Sequence, residues 1–316
     1  MGIRDYDGNT VAVSGSAVSD FGVTDYALFE DGSGTTARQA VLTYQGRSLY
    51  PKNFPQQRKE FVRNYGGGIM MTIGDSYTGY LRVDYDDFAQ KHGLVQDYRG
   101  LARSTIAGSS YDAIGYQPFW ERLDTAISEY SAEGGYTIDG TAYTPDDVKL
   151  IVFMGGANDW STVNDEIDRL GKGPHEIDKR KLYGALNYIF STLLKTFTNA
   201  DIVVILQPMY PGAAVPTDEE SATNVGFESL AQAQEMSDVQ YSNYLMARKQ
   251  MVVREMAERY CLTICDCCFG WHNPINPNDR EKYWIANDGH LNNTGNQSVL
   301  ERLETVVNNL VDSRSG

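Results

Sequence analysis

Long apolar runs are missing from this chain, and so is any excess of positive charge. No uncharged apolar stretch approaches the ~20 residues that a membrane helix requires. The first ten residues, MGIRDYDGNT, contain no apolar segment, so neither a signal peptide nor an anchor is expected. The expected location is cytoplasmic, or outside the cell after release without an N-terminal signal. Lysine and arginine number 27 against 42 acidic residues, a formal net charge of −15. A nucleic-acid partner demands a basic face to neutralise phosphate, and none is expected here. An anionic membrane surface is excluded for the same reason. The one lysine-rich stretch, KGPHEIDKRK at 172–181, is mixed in sign and reads as a solvated helix start.

Cysteine is scarce and concentrated: Cys261, Cys265, Cys267 and Cys268 are all four of them. Their spacing does not make paired Cys-x-x-Cys knuckles, although His272 follows closely. Cys261 and Cys265 flank an apolar stretch that reads as a buried strand, where free cysteine behaves as a small hydrophobe. Core packing is therefore preferred to a metal site, and no metal is expected. A reducing compartment suits such thiols.

The chain otherwise has an ordinary globular composition, 41% hydrophobic and 22% charged. Residues 1–60 are rich in Gly, Ser, Thr and Asp, with short alternating pieces such as TVAVSGSAV and QAVLTYQG; they read as a small β-rich or irregular N-terminal extension. From 61 to 316 the pattern becomes strand, helix, strand, helix. IMMTI, GLVQDYRG, VKLIVFMGG, DIVVILQP and CLTICDCC are strand-like, and several are uninterrupted apolar runs of the kind found in buried parallel sheets. FWERLDTAISEYSAEGG, KLYGALNYIFSTLLKTF, the segment through Tyr241, Leu245, Val252, Met256 and Tyr260, and TGNQSVLERLETVVNNLVDS are amphipathic helices between and after them. The expected fold is α/β, a doubly wound, flavodoxin-like parallel sheet of about five strands flanked by helices. Long connections at 160–178 and 208–226 leave the C-terminal ends of strands, where open α/β sheets build their sites.

Three groups of polar residues converge on that same edge. Gly74, Asp75 and Ser76 follow IMMTI; Gly155–Asp159 (GGAND) follow VKLIVFM; Asn287, Asp288 and His290 lie between the last strand and the last helix. A serine nucleophile needs a base within hydrogen-bond reach, and the base needs an orienting group. An asparagine amide can donate to a developing oxyanion. GDSYT is not Gly-x-Ser-x-Gly, and the glycines of YGGGIMM precede their strand, so neither the α/β-hydrolase elbow nor a dinucleotide fingerprint is present.

With these residues in place, the chain resembles the SGNH (GDSL-type) hydrolases over about residues 69–310. IGDSYT looks like the first block of that family, which implies Ser76 as nucleophile and as one backbone oxyanion donor. GGANDW resembles the Gly-x-Asn-Asp block and implies Asn158 as the side-chain donor; HLNNTG resembles the last block and implies His290 as general base. Two departures stand out. Arg103 occupies the position where the second block usually has an oxyanion-hole glycine, though its N–H can still donate. The acid usually sits three residues before the histidine, where this chain has Asn287; Asp288 lies two before it. Asp288 is the chemically sufficient partner, and a Ser–His dyad with Asn287 is the alternative.

The resemblance implies hydrolysis of a carboxylic ester through an acyl-enzyme, with no metal or organic cofactor. O-acetyl groups on a carbohydrate are the expected substrate class, small-molecule or polysaccharide, with Tyr77, Trp160 and Tyr210 as aromatic planes for sugar rings. A lipid or short-acyl esterase or thioesterase is the alternative within the enzyme class. A non-catalytic carbohydrate-binding or particle-associated module is the alternative outside it. His92, His175 and His272 fall in none of the blocks and read as surface or structural.

Overall fold

The computed structural model describes residues 62–102, 104–107, 117–159, 170–209, 215, 217–224, 227–286 and 288–310, together with the backbone of five strands between residues 2 and 48. The chain divides into two compact units, Met1–Phe61 and Val62–Gly316. In the first, β1 (Gly2–Arg4) pairs antiparallel with β2 (Thr10–Ala12). There β3 (Phe21–Glu30), β4 (Thr36–Tyr44) and β5 (Arg47–Ser48) form a three-stranded antiparallel sheet.

The second unit is built on five parallel strands. β6 (Ile69–Gly74) leads through α1 (Ser76–Tyr80) and α2 (Arg82–Lys91) to β7 (Val95–Gly100). After α3 (Phe119–Tyr130) comes a short hairpin, β8 (Tyr136–Ile138) and β9 (Thr141–Tyr143), before β10 (Val148–Gly155). Next are α4 (Leu182–Thr196), β11 (Asp201–Leu206), α5 (Glu219–Asn224), α6 (Leu230–Gln234) and the long α7 (Asp238–Arg259). β12 (Thr263–Asp266), α8 (Pro277–Tyr283) and α9 (Asn293–Asn308) complete it. The spatial order is β7–β6–β10–β11–β12, every pair parallel. This is the flavodoxin-like order: the chain steps outward from β6 to β7 and then returns across it to β10. The reversal falls between β6 and β10, the place beyond whose C-terminal ends open α/β sheets form a crevice.

Alternation along the strands sorts the core into two layers. Ile69, Met71, Ile73, Ile151 and Phe153 point to the face covered by α3, α4 and α7, where Phe119, Phe190 and Met256 are fully buried. Met70, Leu150, Val152, Val203 and Ile205 point the other way, toward Tyr85 and Phe88 of α2 and Val299 and Leu303 of α9. Both faces are covered, so the three central strands β6, β10 and β11 read as near-continuous apolar runs, while the edge strands β7 and β12 are more polar. The helix ends carry their own signals: Ser237 and Gln240 form a capping box at the start of α7, and Asn292 caps α9 by accepting from the Gly295 N–H.

Local pattern left some features unread. The β8–β9 hairpin and helices α5, α6 and α8 are too short to show a periodicity. Past the prolines of the second long connection, Ala222 and Phe227 pack with Ala233, Tyr241 and Leu245 into a satellite cluster. The cysteine reading needs one correction. Cys265, Cys267 and Cys268 are buried free thiols, but Cys261 is exposed, with φ of 53° at the turn after α7. The strand starts two residues later than CLTIC suggested. His92 is buried and its Nδ1 bonds to Arg63 O, a structural role. Among the described residues no helix is long and apolar enough to cross a membrane.

Gly74 ends β6 under a hard steric limit. A Cβ there would lie 1.8 Å from Thr78 Oγ1 and 2.6 Å from the carbonyl oxygen of Met154 on the neighbouring strand. The carbonyl belongs to the sheet backbone and cannot swing away. Gly74→Ala is therefore expected to destabilise the second unit by about 1–3 kcal/mol or more, as overpacking of a filled site does. The shift in urea midpoint at unchanged slope measures it.

Candidate active site

Strand register brings the candidate residues to one rim. Gly74 pairs with Met154 and with Gly100, Gly155 with Leu206, and Leu206 with Asp266. The residues that follow each strand thus emerge side by side. Ser76 is the first residue of α1, and the buried Asp75 caps that helix by accepting from Tyr77 N at 3.0 Å. The first amides of a helix have no carbonyl partner inside it, which leaves the Ser76 N–H to donate outside the helix.

His290 reaches the serine from the loop between α8 and α9. Its Nε2 lies 2.7 Å from Ser76 Oγ. Its Nδ1 lies 2.5 Å from Asp288 Oδ1, which also accepts from the His290 backbone N–H at 3.1 Å. A carboxylate can only accept, so Nδ1 carries the proton and Nε2 is left to take one from Ser76. Desolvation raises the Asp288 carboxyl, but the side-chain and backbone hydrogen bonds from His290 outweigh it and hold the group below its ordinary range. Asp288 therefore meets the orienting role, and its place two residues before the histidine follows from a tight turn: Asp288 N donates to Ile285 O, and Ile285 N to His290 O. Asn287 lies outside the described residues.

The loop itself is pinned from both sides. The side-chain amide of Asn292 donates to Lys282 O and Trp284 O, while Gly295 packs so closely that a Cβ would fall 2.3 Å from Tyr283 O. These two contacts are the physical reason for the Asn-x-x-Gly spacing after His290. Tyr80, half exposed, stacks on the imidazole with centroids 4.5 Å apart. An aromatic face would favour the imidazole whenever that ring is protonated.

Tyr77 is placed differently from the substrate-facing position expected of it. Its ring is buried in the layer under α9, and its hydroxyl donates to Gly289 O at 2.5 Å. The turn of α1 points the side chain after Ser76 inward, so Tyr77 ties α1 to the loop that carries His290. Trp160, Tyr210 and Arg103 lie outside the described residues.

On the other side of the crevice, Asn158 Nδ2 donates to Ser104 O at 3.1 Å. That takes one of its two amide hydrogens. Asp159, buried, accepts from the N–H groups of Ile106 and Ala107 at 2.9 and 2.8 Å. Together they fasten the β10 turn to the segment after β7. Beneath the rim lies a residue that the sequence patterns did not single out, Gln207, whose Nε2 donates to both Asp75 oxygens at 3.0 and 3.1 Å. Its only local signal is being the first residue past β11, on the shared rim. Among the described residues no group of three or more His, Cys, Asp or Glu is arranged to hold a metal ion.

No family model and no curated protein matches this chain. Solved structures do. Axe2, an acetylxylan esterase from Geobacillus stearothermophilus, is 14% identical over 81% of this chain and 100% of its own, with a TM-score of 0.41. The acetyl xylan esterase AlAXEase is 12% identical over 76% and 99%, TM-score 0.41. A protein from Bacteroides ovatus assigned as a GDSL-like lipase is 13% identical over 75% and 96%, TM-score 0.43. Likeness at this level decides nothing about the chemistry of this chain, which rests on the side chains above.

Burial pushes the Asp75 carboxyl up to about 7, despite its hydrogen bonds from Tyr77 and Gln207, and the nearby charge of Asp159 acts in the same direction. The folded state then holds this proton more tightly than the unfolded chain, whose carboxyl titrates near 3.8. The associated stability is complete below about pH 4 and is lost as the pH rises through about 7. Comparing urea unfolding of the wild type with Asp75→Asn isolates it: the difference between them is expected to fall by on the order of 4 kcal/mol from pH 4 to pH 8. A difference that stays flat with pH would show Asp75 ionised throughout.

Proposed function

We propose that this chain is a serine esterase of the SGNH type that hydrolyses a carboxylic ester through an acyl-enzyme. The hydrogen-bonded line Ser76–His290–Asp288 at the rim carries the reading. In the proposed reaction Ser76 Oγ attacks the ester carbonyl carbon while its proton passes to His290 Nε2. The carbonyl oxygen becomes an oxyanion that the Ser76 N–H and Asn158 Nδ2 stabilise, with Arg103 N–H as a third donor. Collapse breaks the bond to the alcohol oxygen, which takes the proton back from Nε2. Water then repeats the sequence on the acyl-serine and releases the acid. Asp288 stabilises the imidazolium formed in both halves.

Among substrates, O-acetyl groups on a carbohydrate are the proposed class. The half-exposed ring of Tyr80 beside His290 supports a sugar alcohol leaving group, with Trp160 and Tyr210 as further proposed platforms. A preference for long acyl chains would instead favour the lipid reading.

Hydrolysis of p-nitrophenyl acetate tests the mechanism. Ser76→Ala and His290→Ala are each expected to lower kcat/KM by about 10⁴–10⁶-fold, and Asp288→Ala by about 10²–10⁴-fold. A Ser76→Ala protein with wild-type activity, or a wild type inert toward every short acyl ester, would sink the esterase reading in favour of a binding module. For the substrate class, acetate release from an acetylated oligosaccharide is expected to outpace hydrolysis of p-nitrophenyl decanoate, and the reverse order would move the assignment to lipids.

A further inference from the structure

Resting on the esterase reading, we propose that Gln207 is a positioning residue of the oxyanion hole, acting with Asp75 and Gln250 to hold the Asn158 turn in register with the nucleophile turn. The three side chains are fully buried. Gln207 uses both ends of its amide: Nε2 donates to Asp75 Oδ1 and Oδ2, and Oε1 accepts from Ala157 N at 2.8 Å. Its backbone N–H donates to Gln250 Oε1 at 2.8 Å, and Gln250 Nε2 donates onward to Gly155 O at 2.9 Å. Gln250 faces an N–H on one side and a carbonyl on the other, so it cannot flip without two clashes of like groups; Gln207 is fixed by the Ala157 N–H at its oxygen end, and its Nε2 meets an acceptor wherever Asp75 is ionised.

The geometry explains why a long amide is required. Asp75 follows β6 and Gln207 follows β11, and β10 lies between them. Neighbouring strands are spaced by about 4.8 Å, so the bond from Gln207 to Asp75 must pass the end of β10. It does so beneath the Gly155–Asn158 turn and hydrogen-bonds that turn on the way. Gln250 closes the other side. Gly156 has φ of 122°, and a Cβ there would lie 2.7 Å from Gln250 Nε2. Lys249 Nζ adds a bond to Ala157 O at 3.1 Å. The backbone leading into Asn158, from Gly155 to Ala157, is thus held by side chains of α7 and by the residue that follows β11, and the same glutamine grips the helix cap beside Ser76. A donor placed about 1 Å off its transition-state position can cost about 10²-fold in rate.

Reversing the polarity of the pair tests this against a merely structural role. Asp75→Asn sets an Asn amide nitrogen against Gln207 Nε2, and Gln207→Glu sets a carboxylate against Asp75. Combined, they restore one donor facing one acceptor, with Ala157 N still accepted. On p-nitrophenyl acetate, each single variant is expected to lower kcat by about 10–100-fold with KM within about threefold. The double variant should exceed either single by about tenfold. Gln250→Leu loosens the turn without touching Asp75, so it reports even if a single variant fails to fold; the same kcat loss at unchanged KM is expected. Wild-type kcat in the folded variants, or a double variant no better than the product of the singles, overturns the positioning role alone. A wild type without Ser76-dependent hydrolysis overturns the esterase reading and takes this role with it.

Discussion

The parallel pairing of β6 with β10, Ile73 opposite Phe153 and Gly74 opposite Met154, is the constraint from which the rim inherits its geometry. Parallel strands in register end at the same height, so the turns that follow them are neighbours whatever their separation along the chain. Ser76 and Asn158 follow the ends of adjacent strands for that reason, at the point where the chain reversal between β6 and β10 leaves the sheet edge free of a crossover. A slip of β6 by one residue would turn Ile73 to the wrong layer and shift Ser76 relative to His290. The two apolar layers therefore hold the register, and the register holds the site.

Above that scaffold the polar groups are linked rather than scattered. Asp75 caps α1, Tyr77 ties that helix to the loop that carries His290, Asp159 and Asn158 fasten the β10 turn to the segment after β7, and Gln207 joins Asp75 to the same turn. Buried groups of this kind are costly unless satisfied and rigid when they are. The arrangement places side chains that do not touch substrate in charge of those proposed to do so. It also accounts for the tension at Asp75, where burial opposes ionisation while every contact is a donor.

Much of this was legible in local pattern. Apolar runs of strand length between amphipathic stretches announced a parallel α/β sheet, and Gly-Asp-Ser, Gly-Gly-Ala-Asn-Asp and the segment around His290 marked strand ends and a loop. The sequence favoured Asp288 as the partner of His290 only on its chemistry; its contact with Nδ1 depends on the turn through Ile285, which local pattern does not record. Tyr77 was misread for a related reason. Its place next to Ser76 suggests contact with substrate, whereas a helical turn sends adjacent side chains in different directions and buries this one.

What the sequence determined by itself is the set of groups with the right chemistry and the strand ends that carry them. A strand's length, its apolar content and the glycine that stops it are local properties, written in consecutive residues. What the tertiary structure alone decided is the pairing among distant groups. Gln207 lies 132 residues from Asp75, 50 from Ala157 and 43 from Gln250, and His290 lies 214 from Ser76. No local pattern records such partners, since a buried amide is specified only by the donors and acceptors that packing brings around it.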